Sequence, residues 1–330
     1  MESGAPARDV DPDAAVVLVD CAGGRELEVV RDALVHSLNT PTVLIDHTAL
    51  VSTAISLDLG TGLLHVDSRA IRPVVVWVRH SAAHAMMART SGLPPLDAAS
   101  WSGLLAQIAA WAGTALPGRA LVWPGQLADV RRHGVTAPRT VLATDVVAAA
   151  RQLGTPRVIV KTPDFRLYEP DRRAWAAHLP RIVDGDAAAR GPATGTRPVV
   201  VQEYVTHARE LRVYHLDGGV CAFEVRKRDP ASFWTDPASV EVTRVDCPGN
   251  VAAAVRGLCA AWNLVYGAFD LLVTPAGELV FLEANPDGGW LWFESKARWH
   301  GVSFMAAVMV RELFVQGTSL GARADDCDPG

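Results

Sequence analysis

Cysteine is scarce in this sequence, and its five residues form no recognisable framework. Their number is odd and no C-x-x-C motif occurs. This usage argues against a disulfide-stabilised scaffold and against a structural zinc site. Reduced thiols are typical of the cytoplasm, so we expect a cytoplasmic protein. The five residues are Cys21, Cys221, Cys247, Cys259 and Cys327.

The sequence also lacks the segments and the charge that would suggest a membrane or a nucleic acid. No apolar run reaches the ~20 residues that a membrane span needs. The stretch MESGAPARDVDPD carries acids and prolines, whereas a signal peptide has a basic segment before an apolar one. The net charge of −5 gives no electrostatic reason to expect nucleic acid. We therefore expect neither partner.

What the sequence does contain is enough apolar material for more than one core, at 330 residues and 49% hydrophobic composition. Buried-strand patterns occupy 14–20, 41–46 and 70–79. A segment with apolar residues at helical spacing, GRELEVVRDALVHSLN, separates the first two. Strand, helix and strand with short turns are typical of a parallel sheet. The pattern predicts an open α/β domain over 1–115.

The rest of the sequence divides at a Pro/Gly-marked passage, residues 113–125. After it, Asp145 is placed to cap a helix, VVAAARQLG, and RVIVK reads as a strand that ends in Lys161. From residue 198 the pattern becomes strand-rich. We predict a small central domain over 116–197 and a C-terminal domain over 198–330, in an α/β protein with an α+β C-terminal part.

A predicted hairpin over 267–284 carries the strongest chemical signal. If Val273 pairs with Glu278 across the turn TPAG, Asp270 faces Phe281, and Glu283 is the diagonal neighbour of Asp270 on the same face. Asn285 follows one step along that face. Two carboxylates and an amide oxygen are hard ligands that suit Mg²⁺, which usually keeps phosphate oxygens among its other ligands. Solvated acids at a strand end are the alternative interpretation.

Several polar residues before the hairpin follow buried strands in the same way. Lys161 at its strand tip is placed either to contact phosphate or to reach into water. The strand VVVQEYV, with Gln202 and Glu203, exposes backbone groups that can read an adenine edge. Glu210 and Arg212 share one strand face. We expect Arg212 and Arg226 to hold a phosphoryl group or a carboxylate over one cleft.

These residues, in this order, resemble the ATP-grasp ligases. The resemblance rests on four blocks over ~180 residues: Lys161, QEYV, RELRV and FDLLVTPAGELVFLEANPDGGW. It implies an ATP-grasp fold, with an N-terminal α/β domain, a small central domain and a C-terminal domain, and with ATP held between the last two. ATP and Mg²⁺ are then the expected cofactors.

The resemblance also implies roles for individual residues. Lys161 would contact phosphates and Glu210 would bind ribose. The segment Gln202, Glu203, Tyr204 and Val205 would border adenine, with Glu203 near its amino group. The metal ligands would be Asp270, Glu283 and Asn285.

Within this superfamily the block FLEANPDGGWLWFE is most similar to the graspetide (microviridin-type) macrocyclases, which crosslink precursor peptides. Two departures are visible. Trp123 stands where family members usually carry a second phosphate lysine. The segment KTPDFRLYEPDRR has Arg166, Arg172 and Arg173 where a glycine-rich phosphate loop is usual.

The resulting hypothesis is an ADP-forming carboxylate ligase that makes an acyl phosphate and then an ester or amide bond in a precursor peptide. A ligase of free amino acids or other small molecules is the alternative within this class. A nucleotide- or peptide-binding scaffold without turnover is the alternative outside it. The expected partner is a precursor peptide or a small-molecule carboxylate, and a homodimer stays open.

Overall fold

The computed structural model of the chain describes residues 13–21, 24–46, 52–81, 94–118, 125–163, 180–190, 198–228 and 237–325. Its α-helices are α1 Glu26–Asp32, α2 Pro95–Trp111, α3 Gly125–Arg132, α4 Val146–Leu153, α5 Gly185–Arg190, α6 Gly249–Trp262, α7 Leu291–Ala297 and α8 Gly301–Asp325. Its strands are β1 Ala14–Asp20, β2 Thr42–Asp46, β3 Ile55–Leu57, β4 Leu64–Val66, β5 Arg69–Arg79, β6 Thr114–Leu116, β7 Thr140–Ala143, β8 Arg157–Lys161, β9 Arg181–Asp184, β10 Val199–Glu203, β11 Arg209–Leu216, β12 Gly219–Lys227, β13 Val240–Val245, β14 Tyr266–Val273 and β15 Leu279–Asn285.

The chain divides into two compact units. One comprises residues 1–116 and 303–330, and the other comprises residues 117–302. Among the described residues, the first unit contains one mixed sheet and the second contains two antiparallel sheets. The division of the sequence into three domains stays a prediction.

The sheet of the first unit has the strand order β2-β1-β5-β4-β3, with β6 also beside β5. Strand β1 pairs in parallel with β2 and β5, so the expected strand–helix–strand arrangement is confirmed. Pro73 of β5 lies next to a register shift, which places a residue without an N–H where the ladder is already interrupted. The apolar core on this sheet includes Val17, Val19 and Ile45 with Leu105 and Ile108 of α2.

The four-stranded sheet of the second unit has the order β7-β10-β8-β9. Helix α4 packs on it through Ala149 and Leu153, which contact Val158 and Val201. The predicted helix cap is confirmed, because the Asp145 side chain accepts hydrogen bonds from the backbone N–H groups of Val147 and Ala148.

The five-stranded sheet of the second unit has the order β13-β12-β11-β14-β15. One face is an apolar core, where Leu211, Val213 and Phe281 pack with Val255 and Trp262 of α6. The outer edge of β15 is closed by polar contacts. The Gln126 side-chain amide donates to the carbonyl of Ala284 and accepts from its N–H, each at 2.9 Å, and the N–H of Phe281 donates to the carbonyl of Thr136 at 2.8 Å.

The hairpin of β14 and β15 forms at the predicted place but with a different register. Val273 pairs with Leu279, not with Glu278. A register shift between Asp270 and Leu271 then makes Leu282 an extra residue, so Asp270 lies directly opposite Glu283. The prediction of a diagonal pair was wrong for two reasons that add up: the turn is one residue longer than predicted, and a β-bulge adds one more residue to β15.

Candidate active site

A cavity of about 340 Å³ lies in the second unit and is lined by both of its sheets. Its size is within the range of small-molecule sites. The wall formed by the four-stranded sheet includes Ile159, Lys161 and Ile182, and the wall formed by the five-stranded sheet includes Leu272 and Leu282. The cavity therefore has apolar walls into which a small number of charged groups point.

The charged groups form a row across the strands of the five-stranded sheet. In the order of the strands they are Lys227, Glu210, Arg212, Asp270 and Glu283. They share a face because side chains alternate along a strand and cross-strand partners point the same way. The sequence therefore places three acids and two bases on one wall, opposite Lys161.

Arg212 is held in the middle of this row. Its guanidinium forms an ion pair with Asp270, Nη1 to Oδ2 at 2.6 Å, and lies 5.2 Å from the ring centre of Phe293. Burial acts to lower the pKa of Arg212, but Asp270 and the Tyr214 side chain raise it above its ordinary value. Arg212 is therefore a fixed positive charge in the cavity.

Asp270 and Glu283 are cross-strand partners, and both line the cavity. Burial raises the pKa of Asp270 above its ordinary value and Glu283 raises it further, while Arg212 acts in the opposite direction. On the other wall, burial lowers the pKa of Lys161, and both carboxylates oppose that effect. Two carboxylates in this position gain from an additional cation, so their donor set fits Mg²⁺.

The third predicted metal ligand, Asn285, pairs with Ala268 beside them. Its Oδ1 accepts a hydrogen bond from the N–H of Asp287 at 2.9 Å. Within the described part of the chain, no group of three or more His, Cys, Asp or Glu side chains is placed to hold a metal. Asn285 would have to supply the third protein oxygen, and its role as a ligand stays a prediction.

The loop PDGG after β15 is tied to the sheet by two tyrosines. The hydroxyl of Tyr214 donates to the carbonyl of Gly289 at 2.7 Å, and the hydroxyl of Tyr266 donates to the carbonyl of Gly288. A Cβ on Gly288 would lie 2.6 Å from an Arg212 nitrogen and 2.5 Å from the Cβ of Ala268. Glycine is required there because the loop backbone passes against the buried guanidinium.

The segment expected to border adenine lines the cavity, with Gln202, Glu203, Tyr204 and Val205 all in its wall. The carboxylate of Glu203 contacts Arg139, accepting from its backbone N–H at 2.8 Å and from its Nε at 3.0 Å. That carboxylate is committed to Arg139, so recognition of an adenine amino group would fall to the backbone of this segment.

Arg226, expected to share a cleft with Arg212, lies elsewhere. It is on the opposite face of the sheet, its side chain is 71% exposed, and its Nε contacts Glu224 at 2.8 Å. The face follows from the register, in which Arg212 pairs with Phe223, so that Arg226 points with Glu224. Lys227, the next residue, lines the cavity in its place and forms an ion pair with Glu210.

The sequence contains a signal that identifies Lys227. Residues Asp217 and Gly218 form the two-residue turn between β11 and β12, both with positive φ, and an Asp-Gly pair is typical of such tight turns. That turn fixes the register and hence the face of every residue on β12.

The predicted loop arginines Arg166, Arg172 and Arg173, together with Trp123, lie outside the described residues.

The chain is similar in structure to a group of solved ligases. The ATP-grasp ligase PsnB, solved with a phosphomimetic variant of a minimal precursor, Mg and ADP, superposes with a TM-score of 0.69 and 20% identity over 94% of this chain and 100% of that one. The macrocyclase MdnC from Microcystis aeruginosa MRC, bound to the precursor peptide MdnA, gives a TM-score of 0.65 at 17% identity over 90% and 99%.

More distant likenesses extend beyond peptide-bound ligases. D-alanyl-alanine synthetase A from Vibrio cholerae O1 biovar eltor str. N16961 gives a TM-score of 0.57 at 13% identity over 92% of this chain and 99% of that one. No family model and no curated protein matches the chain. The likeness is therefore one of fold.

Proposed function

We propose that this chain, which has the ATP-grasp fold, is an ADP-forming carboxylate ligase with its active site in the cavity of the second unit. The observation that carries the proposal is the opposition of Asp270 and Glu283 to Lys161 across that cavity. A nucleoside triphosphate needs cations for its phosphates and apolar surface for its base, and the lining of this cavity includes residues of both kinds.

Nucleotide binding is assigned to both walls. Ile159, Ile182 and Leu272 provide flat apolar surface for a purine ring, with the Gln202–Val205 segment along its edge. We assign ribose recognition to Glu210, which lines the cavity, is 9% exposed and has carboxylate oxygens that can accept hydrogen bonds from hydroxyls. Lys161 then faces the phosphates as a compact positive charge.

The metal end of the site is assigned to Asp270, Glu283 and Asn285. When bound, Mg²⁺ supplies positive charge that offsets the charge on the transferring phosphoryl group. Arg212 contributes a second, permanent charge, and its ion pair fixes the Asp270 carboxylate in one orientation. These residues work by position and electrostatics, which supply most of the catalysis in phosphoryl transfer.

The proposed reaction has two transfers. A substrate carboxylate oxygen attacks the γ-phosphorus of ATP, the bond from that phosphorus to the bridging oxygen breaks, and ADP leaves. A hydroxyl or amine then attacks the acyl carbon, the bond from that carbon to the phosphate oxygen breaks, and phosphate leaves with the bonding pair. The proton of the attacking group passes to phosphate or solvent.

For the substrate, we propose a precursor peptide whose side chains become joined by ester or amide bonds. The support is that PsnB, MdnC and a Chryseobacterium gregarium ligase solved with ADP and a leader and core peptide (TM-score 0.63) all have this fold. A small-molecule ligase is the second candidate, supported by the likeness to D-alanyl-alanine synthetase A.

The setting we propose is the cytoplasm, where ATP is available. Cys21, Cys221, Cys247 and Cys259 are all thiols, which is compatible with that compartment. No helix in the described part of the chain has the length and apolarity of a membrane span. A homodimer is compatible with the proposal but not needed for it.

The test is ADP formation measured against a panel of precursor peptides and free amino acids, with Mg²⁺ or with EDTA, and with product masses recorded. We expect ADP release that depends on a peptide and on Mg²⁺, and a product lighter than the peptide by about 18 Da, the mass of one water, for each bond formed. Turnover with free amino acids alone would favour the second candidate. Nucleotide binding without turnover on any substrate would favour a scaffold.

A further inference from the structure

The four-stranded sheet of the second unit ends in strand β7, which has a partner on one side. It pairs with β10, and within the described part of the chain no strand pairs with its other side. Its residues, TVLA, include no proline and no charged side chain, which commonly protect an edge against added strands. The outer edge of β7 is therefore a candidate for the addition of another extended chain.

The hydrogen bonds of β7 define which of its backbone groups face outward. The N–H of Glu203 donates to the carbonyl of Arg139 at 2.9 Å, so these two residues form a hydrogen-bonded pair. Backbone groups alternate between the two sides of a strand, and the N–H and C=O of Leu142 therefore point away from β10. Among the described residues, no group bonds to either of them. Leu142 thus offers one donor and one acceptor to an incoming strand, and the residue is 52% exposed.

A cavity of about 510 Å³ accompanies this edge. It is lined by the consecutive residues 141–145, by Ala148, Ala149 and Gln152 of α4, and by Pro198. The charged residue in this lining is Asp145, whose side chain already caps α4. The cavity is therefore a groove between a strand edge and a helix, and it fits a segment with uncharged side chains.

Two kinds of chain could close such an edge, a peptide or a second copy of β7. A strand of four residues offers too little surface by itself for the ~1,200 Å² that a stable interface needs. A substrate, by contrast, has to bind reversibly and leave. Backbone pairing with an edge strand gives affinity, and pockets beside the strand select alternate side chains. The short edge and its groove favour a peptide.

The edge is connected to the nucleotide cavity through the sheet. Leu142 pairs with Val200 and Val200 pairs with Lys161, so the three residues form one row. The side-chain amide of Gln202 also donates to Oγ1 of Thr140 at 2.9 Å. A strand added beside Leu142 lies three strand spacings, about 14 Å, from β8. An extended chain covers that distance with about four or five residues, so docking and reaction fall on separate segments of one peptide.

We propose that the outer edge of β7 is the docking site for an extended, uncharged segment of the peptide substrate. The segment adds to the sheet as a strand, bonds to the outward N–H and C=O of Leu142, and places alternate side chains in the groove beside α4. The inference rests on the proposed peptide ligase and names the surface that holds its substrate away from the reacting residue.

The test is fluorescence anisotropy of the labelled precursor peptides of the ADP-release panel, titrated with the full chain and two variants. Leu142→Pro removes the outward N–H without removing a hydrogen bond to β10. Leu142→Thr keeps that N–H and is the matched control. We expect Leu142→Pro to weaken peptide binding by about tenfold, because one hydrogen bond is lost and the edge is obstructed. Leu142→Thr should change it by less than about threefold, and ATP affinity should hold in both.

Amide hydrogen exchange of the wild-type chain gives a second readout, which decides the matter even if Leu142→Pro fails to fold. The N–H of Leu142 should become protected when a peptide binds. The N–H groups of Val141 and Ala143 point to β10 and should not change.

Three results would overturn the inference. Peptide binding with unchanged exchange at Leu142 and unchanged affinity of Leu142→Pro would place the docking site elsewhere. Protection of Leu142 that rises with protein concentration in the absence of peptide would make a second copy the occupant. Failure of every peptide in the panel to bind would remove the dock, and ADP release with free amino acids would then leave the ligase standing. Absence of ADP release with every substrate would refute the proposed function itself.

Discussion

The two faces of the five-stranded sheet are made from the same strands and have opposite character. On β11, Leu211 and Val213 pack in the apolar core, whereas Glu210 and Arg212 line the cavity. On β15, Phe281 belongs to the core and Glu283 to the cavity. Because neighbouring residues point to opposite faces, one stretch of sequence provides both stability and chemistry.

Effects on stability and effects on ligand binding or turnover should therefore separate between adjacent residues of one strand. A substitution on the core face should change the free energy of unfolding. A substitution of the adjacent residue, on the cavity face, should change ligand binding or turnover. Core substitutions lose packing and burial, whereas cavity substitutions remove charges that the folded chain brings together at some cost.

The largest expected effect is on the core face, for Phe281→Ala. Phe281 is fully buried, and its ring contacts those of Trp262 and Phe269 at centroid distances of 5.9 Å and 6.3 Å. The lost contacts and the cavity left behind should lower the free energy of unfolding by about 3–5 kcal/mol. Urea unfolding measures this change. Leu282→Ala, the adjacent cavity residue, is the control and should cost clearly less while weakening nucleotide binding; the reverse pattern would contradict the assignment of faces.

Glu283→Gln comes next and should act on turnover alone. Glutamine keeps the size and one oxygen but removes a charge from the metal end of the cavity. We expect ADP release to slow by about 100-fold or more, equivalent to ~2.7 kcal/mol in activation free energy. The melting temperature without ligand should hold or rise, because a carboxylate that faces Asp270 has lost its charge. Turnover close to wild type would remove the metal role of Glu283.

A smaller loss is expected for Lys161→Ala, and it should appear in binding. If Lys161 makes the proposed phosphate contact, its removal should weaken ATP affinity by about tenfold, or ~1.4 kcal/mol. Stability should hold, since burial already disfavours the charged form of this lysine by lowering its pKa. Calorimetry and a thermal melt give the two quantities. A collapsed melting temperature with unchanged affinity in the folded fraction would make Lys161 a structural residue.

The smallest effect is expected for Arg226→Ala. Arg226 is on the face of the five-stranded sheet opposite the cavity, but its side chain is exposed to solvent. Its partner Glu224 also pairs with Arg209, at 2.7 Å, so no buried acid is left alone. Exposed ion pairs contribute little, and ATP affinity should stay within about twofold of wild type. A large loss of affinity would return Arg226 to the active site and break the distinction between the two faces.

Many of the elements and part of the cavity could be predicted from the sequence. Runs of buried residues predicted β1, β8 and β10, and the polar residues after them marked Lys161 and Gln202. Alternation along RELRV placed Glu210 and Arg212 on one face, as the structure has them. These features follow from periodicity and burial, which are local properties of a chain.

What the sequence did not reveal depends on register. The turn is one residue longer than predicted and the bulge at Leu282 adds another residue to β15 without any local marker, so the predicted partner of Asp270 was two residues away from the observed Glu283. Arg226 and Lys227 are adjacent and both basic, and composition cannot decide which one faces the cavity. Only the pairing across the Asp217–Gly218 turn decides it.

The closed outer edge of β15 has a consequence for how a peptide substrate could be delivered. Gln126 and the carbonyl of Thr136 already occupy the hydrogen-bonding groups of Ala284 and Phe281 that an added strand would need. An extended peptide therefore cannot read this edge through its backbone, although edge pairing is a common way to capture peptides. If the substrate is the proposed precursor peptide, its reacting residue would reach Asp270 and Glu283 by its side chain, and selection at this point would depend on side-chain reach and not on strand formation.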